Sequence, residues 1–128
     1  MKDLRNKVVL ITGAGGGIGL NTAGFFAEAK SRLVLTDINE LALENAKQRL
    51  AKHGVDILTR VVDVTDLKAV EKLRDDVAAK FGGVDILINN AGIGYNAEIA
   101  DTSLAKWQQL MNINFWAPLY HIQTFLPL

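Results

Sequence analysis

The stretch from Lys7 to Ala29 constrains this chain more than any other. Lys7-Val8-Val9-Leu10-Ile11 is a short β-branched and aliphatic run, the composition of a strand buried on both faces of a parallel sheet. Thr12-Gly13-Ala14-Gly15-Gly16-Gly17-Ile18-Gly19 follows directly, and a helical pattern then runs from Ile18 to Ala29. Strand, glycine turn and helix in that order bring the free N–H groups of a helix N-terminus to a place where a phosphate can sit. There Gly13 permits the tight turn, Gly17 lets the backbone approach a pyrophosphate, and Gly19 lets the helix pack closely on the strand. The strict G-x-G-x-x-G spacing is not met, because the third place counted from Gly13 and Gly15 is Ile18. What fits is T-G-x-x-x-G-x-G, with Thr12, Gly13, Gly17 and Gly19 in register. No Lys-Ser or Lys-Thr pair directly follows the glycines, which excludes a P-loop. On the turn alone, a dinucleotide site and a flexible strand-to-helix connection both remain open.

Asp37 separates them. Leu33-Val34-Leu35-Thr36-Asp37 is a second apolar strand ending in a carboxylate, eighteen residues beyond Gly19. In a βαβ nucleotide unit an acid about 20 residues past the glycines accepts hydrogen bonds from the adenosine ribose. It also repels a 2′-phosphate, so NAD is expected over NADP. Ile38 stands where a phosphate-reading arginine would be. The competing role for Asp37, capping the next helix, can be filled by Asn39 instead.

Val61-Val62-Asp63-Val64-Thr65 ends a third strand and Val84-Asp85-Ile86-Leu87-Ile88-Asn89-Asn90-Ala91-Gly92 a fourth. The set T-G-x-x-x-G-x-G, Asp37, Asp63-Val64, Asn89-Asn90-Ala91-Gly92 and Asn114 resembles the short-chain dehydrogenase/reductase family, its compact branch, over essentially the whole chain. The resemblance implies that Gly13, Gly17 and Ile18 line the pyrophosphate while Gly15 and Gly16 shape the turn. It places Asp37 on the adenosine ribose, Asp63 and the Val64 backbone beside adenine, and Asn90, Ala91 and Gly92 under the nicotinamide-side ribose. Asn89 and Asn90 also take a share in tying the sheet together. Asn114 matches the asparagine of a long helix that helps hold a water chain to a catalytic lysine.

The family's chemistry also requires a serine on a fifth strand and a Tyr-x-x-x-Lys pair, the tyrosine acting as general acid/base and the serine polarising the carbonyl. Tyr95 is followed four residues later by Ile99, and Tyr120 by Thr124; the serines are Ser31 and Ser103. None of these fits, so Asn114 is the one member of the catalytic set within residues 1–128, and the chain is expected to be inactive alone.

Composition agrees with part of a cytoplasmic enzyme. Nearly half the residues are apolar, there is no cysteine, and fourteen basic residues balance fourteen acidic ones. That balance, with no basic stripe, argues against a nucleic-acid surface. His53 and His121 stand alone, which supplies no metal cluster. No signal peptide is expected, and no run nears the roughly 20 apolar residues of a membrane span.

The pattern predicts an α/β, Rossmann-like, doubly wound parallel sheet in three layers with strand order 3-2-1-4, a dinucleotide-binding domain over 1–128 that stops before a fifth strand. Strands are expected near 7–12, 32–37, 56–62 and 84–89, and helices near 18–29, 40–53, 66–81 and 103–126. Leu41, Leu43, Ala46, Leu50 and Ala51 form the buried stripe of the second helix, ended by Gly54. Leu67, Val70, Leu73 and Val77 form that of the third, capped by Thr65 or Asp66 and stopped by Gly82-Gly83. Where the family has glycine after the first helix, this chain has Lys30, which costs on the order of 1 kcal/mol if it is left-handed. Pro118 is expected to kink the last helix. Trp107, Phe115, Trp116 and Phe125 on that helix offer area for a homo-oligomer, or pack on the sheet. Strand 4 is expected to be an exposed aliphatic edge that favours dimerisation or aggregation. Three roles result: the cofactor-binding part of an oxidoreductase acting on an alcohol/carbonyl pair, a non-catalytic NAD-binding or assembly module, or an incomplete chain. The Gly94–Asp101 loop supports no choice of substrate.

Overall fold

The apolar runs become four parallel strands, β1 (Val8–Ile11), β2 (Arg32–Asp37), β3 (Ile57–Val61) and β4 (Ile86–Ile88), in the order β3-β2-β1-β4. The computed structural model describes residues 3–93 and 97–127. Val8 pairs with Arg32 and Ile11 with Leu35 on one side of β1, while Val9 to Ile11 pair with Ile86 to Ile88 on the other. Every residue of β1 is buried, as a central strand covered on both faces requires. One face, carrying Val9, Ile11, Leu33 and Leu35, packs under α1 (Gly17–Glu28) and α2 (Glu40–Leu50). The other, carrying Val8, Leu10 and Val34, packs under α3 (Leu67–Phe81) and Phe125 of α5 (Ala117–Phe125). The result is the three-layer, Rossmann-like order that the spacing predicts.

Caps account for where the helices begin. The Asn39 side chain accepts from Ala42 N at the start of α2, which leaves Asp37 free of that duty. Asp66, not Thr65, caps α3 by accepting from Ala69 N; Thr65 is held instead by Asp63, which accepts from both its N–H and its hydroxyl. The predicted helix 40–53 ends at Leu50 and tightens into a 3-10 turn over Ala51–His53 before left-handed Gly54. Leu41 is 70 % exposed, Ala51 is exposed and Leu67 is 43 % exposed, so these three lie outside the core assigned to them. Each sits at a helix end, where the apolar stripe has already turned past the sheet.

The largest departure is the helix expected over 103–126. It is α4 (Leu104–Met111), a wide π-turn over Asn112–Trp116, and then α5. Ser103 caps α4 by accepting from Lys106 N. The interruption precedes Pro118, which falls in the first turn of α5, where a missing N–H is tolerated. A π-turn inserts one residue into the helical register and commonly marks a functional position; here it carries Asn114.

Lys30 is left-handed, with φ 66°, at the end of α1. Its ammonium donates to the His53 carbonyl at 2.8 Å, across an exposed surface. Lys30→Gly is expected to stabilise the chain by up to about 1 kcal/mol, because glycine relieves the left-handed cost and an exposed hydrogen bond returns less than that. A urea midpoint that falls on this substitution would contradict the assignment of strain to Lys30.

β4 is the sheet's outer strand beside β1, and its three residues are only partly buried where those of β1 are fully so. Within residues 1–128 β4 is thus an edge strand, but a half-buried one and not the exposed edge expected.

Candidate functional site

Past the C-terminal ends of β1 and β4, which stay hydrogen-bonded through Thr12 N and the Ile88 carbonyl, the glycine turn, Asp37 and the loop after β4 come together. Gly13 turns the chain out of β1 with φ +64°, and a Cβ at that position would come within 3.0 Å of the Ala91 backbone. Gly17 opens α1 with φ +55° and has nothing within 4 Å of where a Cβ would stand. No side chain caps the first turn of α1. The N–H groups of Gly17, Ile18 and Gly19 are thus the unsatisfied donors of a helix N-terminus, beside the partial positive charge of its dipole. Ile18 is 78 % exposed and packs on no core cluster, an apolar side chain kept at the surface beside the turn.

Gly19 does something other than seat the helix on the strand. A Cβ there would collide with the Gly13 carbonyl oxygen and stand 2.6 Å from Asn90 Nδ2. Its bare Cα makes room for the turn itself and for the asparagine that closes the turn. Asn90 Nδ2 donates to the Gly13 carbonyl at 3.1 Å. Asn90 thus joins β4 to the glycine turn, the structural share expected of the pair, whereas the Asn89 side chain has no hydrogen bond among the described residues.

The spacing puts Thr12 in the motif without giving it a role. Its hydroxyl, on a residue 1 % exposed, accepts from both Asn90 N and Ala91 N at 3.0 Å. One oxygen therefore fixes the start of the loop after β4 against the end of β1. The signal was available: a hydroxyl at the last position of an apolar strand is a buried polar group and must have partners. Asp85, given no role by the motifs, accepts from Val8 N at 2.8 Å and extends the β1–β4 pairing below the strand.

Asp37 stands over the turn with both carboxylate oxygens engaged. Oδ2 accepts from Gly15 N at 2.8 Å and Oδ1 from Asn39 N at 3.0 Å. Gly15 is glycine because a Cβ would come within 2.8 Å of Asp37 Oδ2 and 2.9 Å of the Ala42 methyl. Gly16, the extended residue before α1, meets nothing within 4 Å and is exposed. Each Asp37 oxygen retains a further lone pair, so the carboxylate is oriented without being saturated.

Beside Asp37 lies a cavity of about 270 Å³. Gly13, Asp37, Asp63, Val64, Ala91 and Gly92 line it, together with Ile38, Val62, Ile93 and Ile113. The first six are residues that the motifs predict; the four apolar ones are neighbours of motif residues that no motif includes. Gly16, Gly17 and Ile18 lie outside this cavity, at the start of α1. The lining is mostly apolar, with the Asp37 and Asp63 carboxylates and the bare backbone of Gly13 and Gly92 among it.

Asn114 is exposed, and both ends of its amide are used: Oδ1 accepts from Ile93 N at 3.0 Å and Nδ2 donates to the Ile93 carbonyl at 2.8 Å. The π-turn aims it at the loop after β4, where its Oδ1 lies 3.1 Å from where a Cβ on Gly92 would stand. Tyr95 and the start of the Gly94–Asp101 loop lie outside the described residues. Tyr120 is half-buried and Thr124 buried on α5. No group of three or more His, Cys, Asp or Glu side chains able to hold a metal occurs among the described residues, and no helix among them is long and apolar enough to cross a membrane.

The short chain dehydrogenase family profile matches residues 7–128. The chain belongs to that family of oxidoreductases. It is 38 % identical over 126 residues to estradiol 17-beta-dehydrogenase 11 of Macaca fascicularis, covering 98 % of this chain and 42 % of the relative. Its fold superposes with a TM-score of 0.94 on L-sorbose reductase from Gluconobacter frateurii complexed with NADPH and L-sorbose, at 35 % identity over 98 % of this chain and 48 % of that one. It superposes equally well, with a TM-score of 0.94, on a short chain dehydrogenase/reductase from Burkholderia phymatum in complex with NAD, at 31 % identity over 99 % of this chain and 45 % of that one. The chain spans about half the length of the relatives it matches.

Proposed function

We propose that the crevice between the ends of β1 and β4 binds a nicotinamide dinucleotide, NAD in preference to NADP, for hydride transfer between the cofactor and a small-molecule alcohol/carbonyl pair. The observation that carries this reading is the Asp37 carboxylate, held over the glycine turn by Gly15 N and Asn39 N at one end of a 270 Å³ apolar slot. A carboxylate so placed can accept from ribose hydroxyls, and its charge opposes a 2′-phosphate. The relatives do not decide between the two nucleotides, since NAD and NADPH both occur among them.

Gly13, Gly15, Gly16, Gly17, Ile18 and Gly19 bring bare backbone and the α1 N-terminus to the pyrophosphate position. Asp63 and Val64 are assigned to the adenine end of the slot; Ala91 and Gly92, with Asn90 behind them at the glycine turn, are assigned to the nicotinamide-side ribose. Nicotinamide, when bound, supplies or accepts the hydride. Within residues 1–128 no Tyr-x-x-x-Lys pair stands ready to move the accompanying proton. Asn114, through its grip on Ile93, is a positioning residue here, and the catalytic step belongs to the whole enzyme. Trp107, Phe115 and Trp116 stay 41 %, 51 % and 42 % exposed, with the last two edge to face at 5.1 Å. They support association of this helix with a second copy, whereas Phe125 belongs to the core.

Adding NAD to the isotope-labelled chain tests the placement. The amide signals of Gly17, Ile18, Gly15 and Ala91 are expected to move together and saturably. Shifts confined to residues remote from the crevice would refute it.

A further inference from the structure

His121 is a histidine in a place that suits only its neutral form. It is fully buried on α5 and stacks on Phe125, with ring centroids 6.3 Å apart. Its Nδ1 lies 2.8 Å from the Ala117 carbonyl oxygen. A carbonyl only accepts, so Nδ1 carries the proton and Nε2 is a bare acceptor. Nε2 has no partner. A second proton there would place an N–H with no acceptor, and a charge, inside an apolar layer.

Among the described residues, the elements packed on α5 place no charged group on the ring. α3 turns Val70, Leu73 and Val77 inward, Val8 and Leu10 of β1 share their cluster with Phe125, and Val84, Asp85, Leu87 and Asn89 at β4 line a cavity with Ile122 and Phe125. The ionisable groups on those elements are committed elsewhere: Asp76 pairs with Arg60 and Lys72, Arg74 pairs with Asp75, and Asp85 accepts from Val8 N. None of them, nor Glu71 or Lys80, acts on the ring. Burial holds His121 below the ordinary histidine range, and the Ala117 carbonyl opposes this only in part.

Ala117 links this ring to the crevice. Its carbonyl accepts from His121 Nδ1–H, while its N–H donates to Asn112 O and closes the π-turn. That same π-turn carries Asn114, whose amide grips Ile93 in the wall of the cavity beside Asp37. We propose that His121 is an acid-sensitive latch: neutral, it seats α5 and closes the π-turn; protonated, it leaves the core and the Asn114 grip on Ile93 opens. The proposal rests on the cofactor reading only in calling that loop the crevice floor, and its test needs no nucleotide.

The sign follows from burial. The unfolded or detached ring binds a proton near its ordinary pKa, and the seated ring only at lower pH, so the seated state loses ground as pH falls through that interval. Amide hydrogen exchange should be followed in the 128-residue chain from about pH 7 to about pH 5. In the wild type, protection of Ile93 and Ala117 is expected to fall about tenfold per pH unit once detached His121 is charged, while Leu10 and Val34 in the sheet keep theirs. In His121→Leu the fall at Ile93 is absent; if that variant does not fold, His121→Gln, also uncharged, serves the same comparison. The proposal is overturned if Ile93 loses protection equally in the uncharged variant. It is also overturned if Ile93 is lost only together with Leu10, or if the His121 ring titrates with no change at Ile93.

Discussion

Gly19→Ala is expected to destabilise the chain by about 2–3 kcal/mol, although alanine is the better helix former by about 1 kcal/mol. The added methyl has to occupy space held by the Gly13 carbonyl and by Asn90 Nδ2, 2.6 Å away. The carbonyl belongs to the left-handed turn at Gly13, φ +64°, and accepts from Asn90 Nδ2, so moving it away sacrifices that hydrogen bond. Either α1 lifts from the turn or the Asn90–Gly13 hydrogen bond breaks, and each outcome disorders the phosphate end of the crevice. Gly24→Ala, on the same helix, is the internal control. Its Cβ would meet only Leu50 Cδ2 at 3.8 Å, an ordinary contact. That substitution is expected to stabilise by about 0.5–1 kcal/mol through helix propensity. Urea denaturation of the two variants should thus give shifts of opposite sign. A neutral Gly19→Ala would mean that the close approach of turn, helix and Asn90 is not what holds the site.

Thr12→Val is the second large effect. The shapes match, so packing is preserved and only the hydroxyl is lost. With it goes the acceptor for Ala91 N and one of the two acceptors for Asn90 N, whose other is the Ile88 carbonyl. Orphaning a buried N–H costs about 1–3 kcal/mol, and the partial loss at Asn90 adds to it. A total near 2–3 kcal/mol is expected from the same denaturation experiment. Thr12→Ser, which restores the oxygen, should recover most of that. If Val and Ser variants lose stability equally, the methyl rather than the hydroxyl matters at this position.

Legibility followed periodicity. The strands, their order and the caps on α2 and α3 could be read because each depends on a few adjacent residues: an apolar run, an Asn or Asp before a helix, a glycine after it. Asp37 was legible for the same reason, being the last residue of a strand at a fixed distance from the glycines. What could not be read depends on partners far along the chain. The role of Gly19 is set by Asn90, that of Thr12 by two N–H groups nearly eighty residues away, and that of Asn114 by Ile93. The π-turn is of this kind: residues 103–126 have one helical periodicity, and only the Asn114 grip on Ile93 shows why the register slips at Asn112–Trp116. Leu41 and Leu67 misled because an apolar residue in the first turn of a helix keeps the spacing of the stripe without reaching the sheet.

The central claim, that Asp37 makes this crevice an NAD site, is tested most directly by calorimetric titration of the chain with NAD and with NADP, in the wild type and in Asp37→Ala. Charge-assisted hydrogen bonds of about 1.5–3 kcal/mol lead us to expect saturable NAD binding, at least tenfold tighter than NADP, with that preference lost in the variant. Equal affinity for the two nucleotides in the wild type, or a preference for NAD that survives Asp37→Ala, would contradict it.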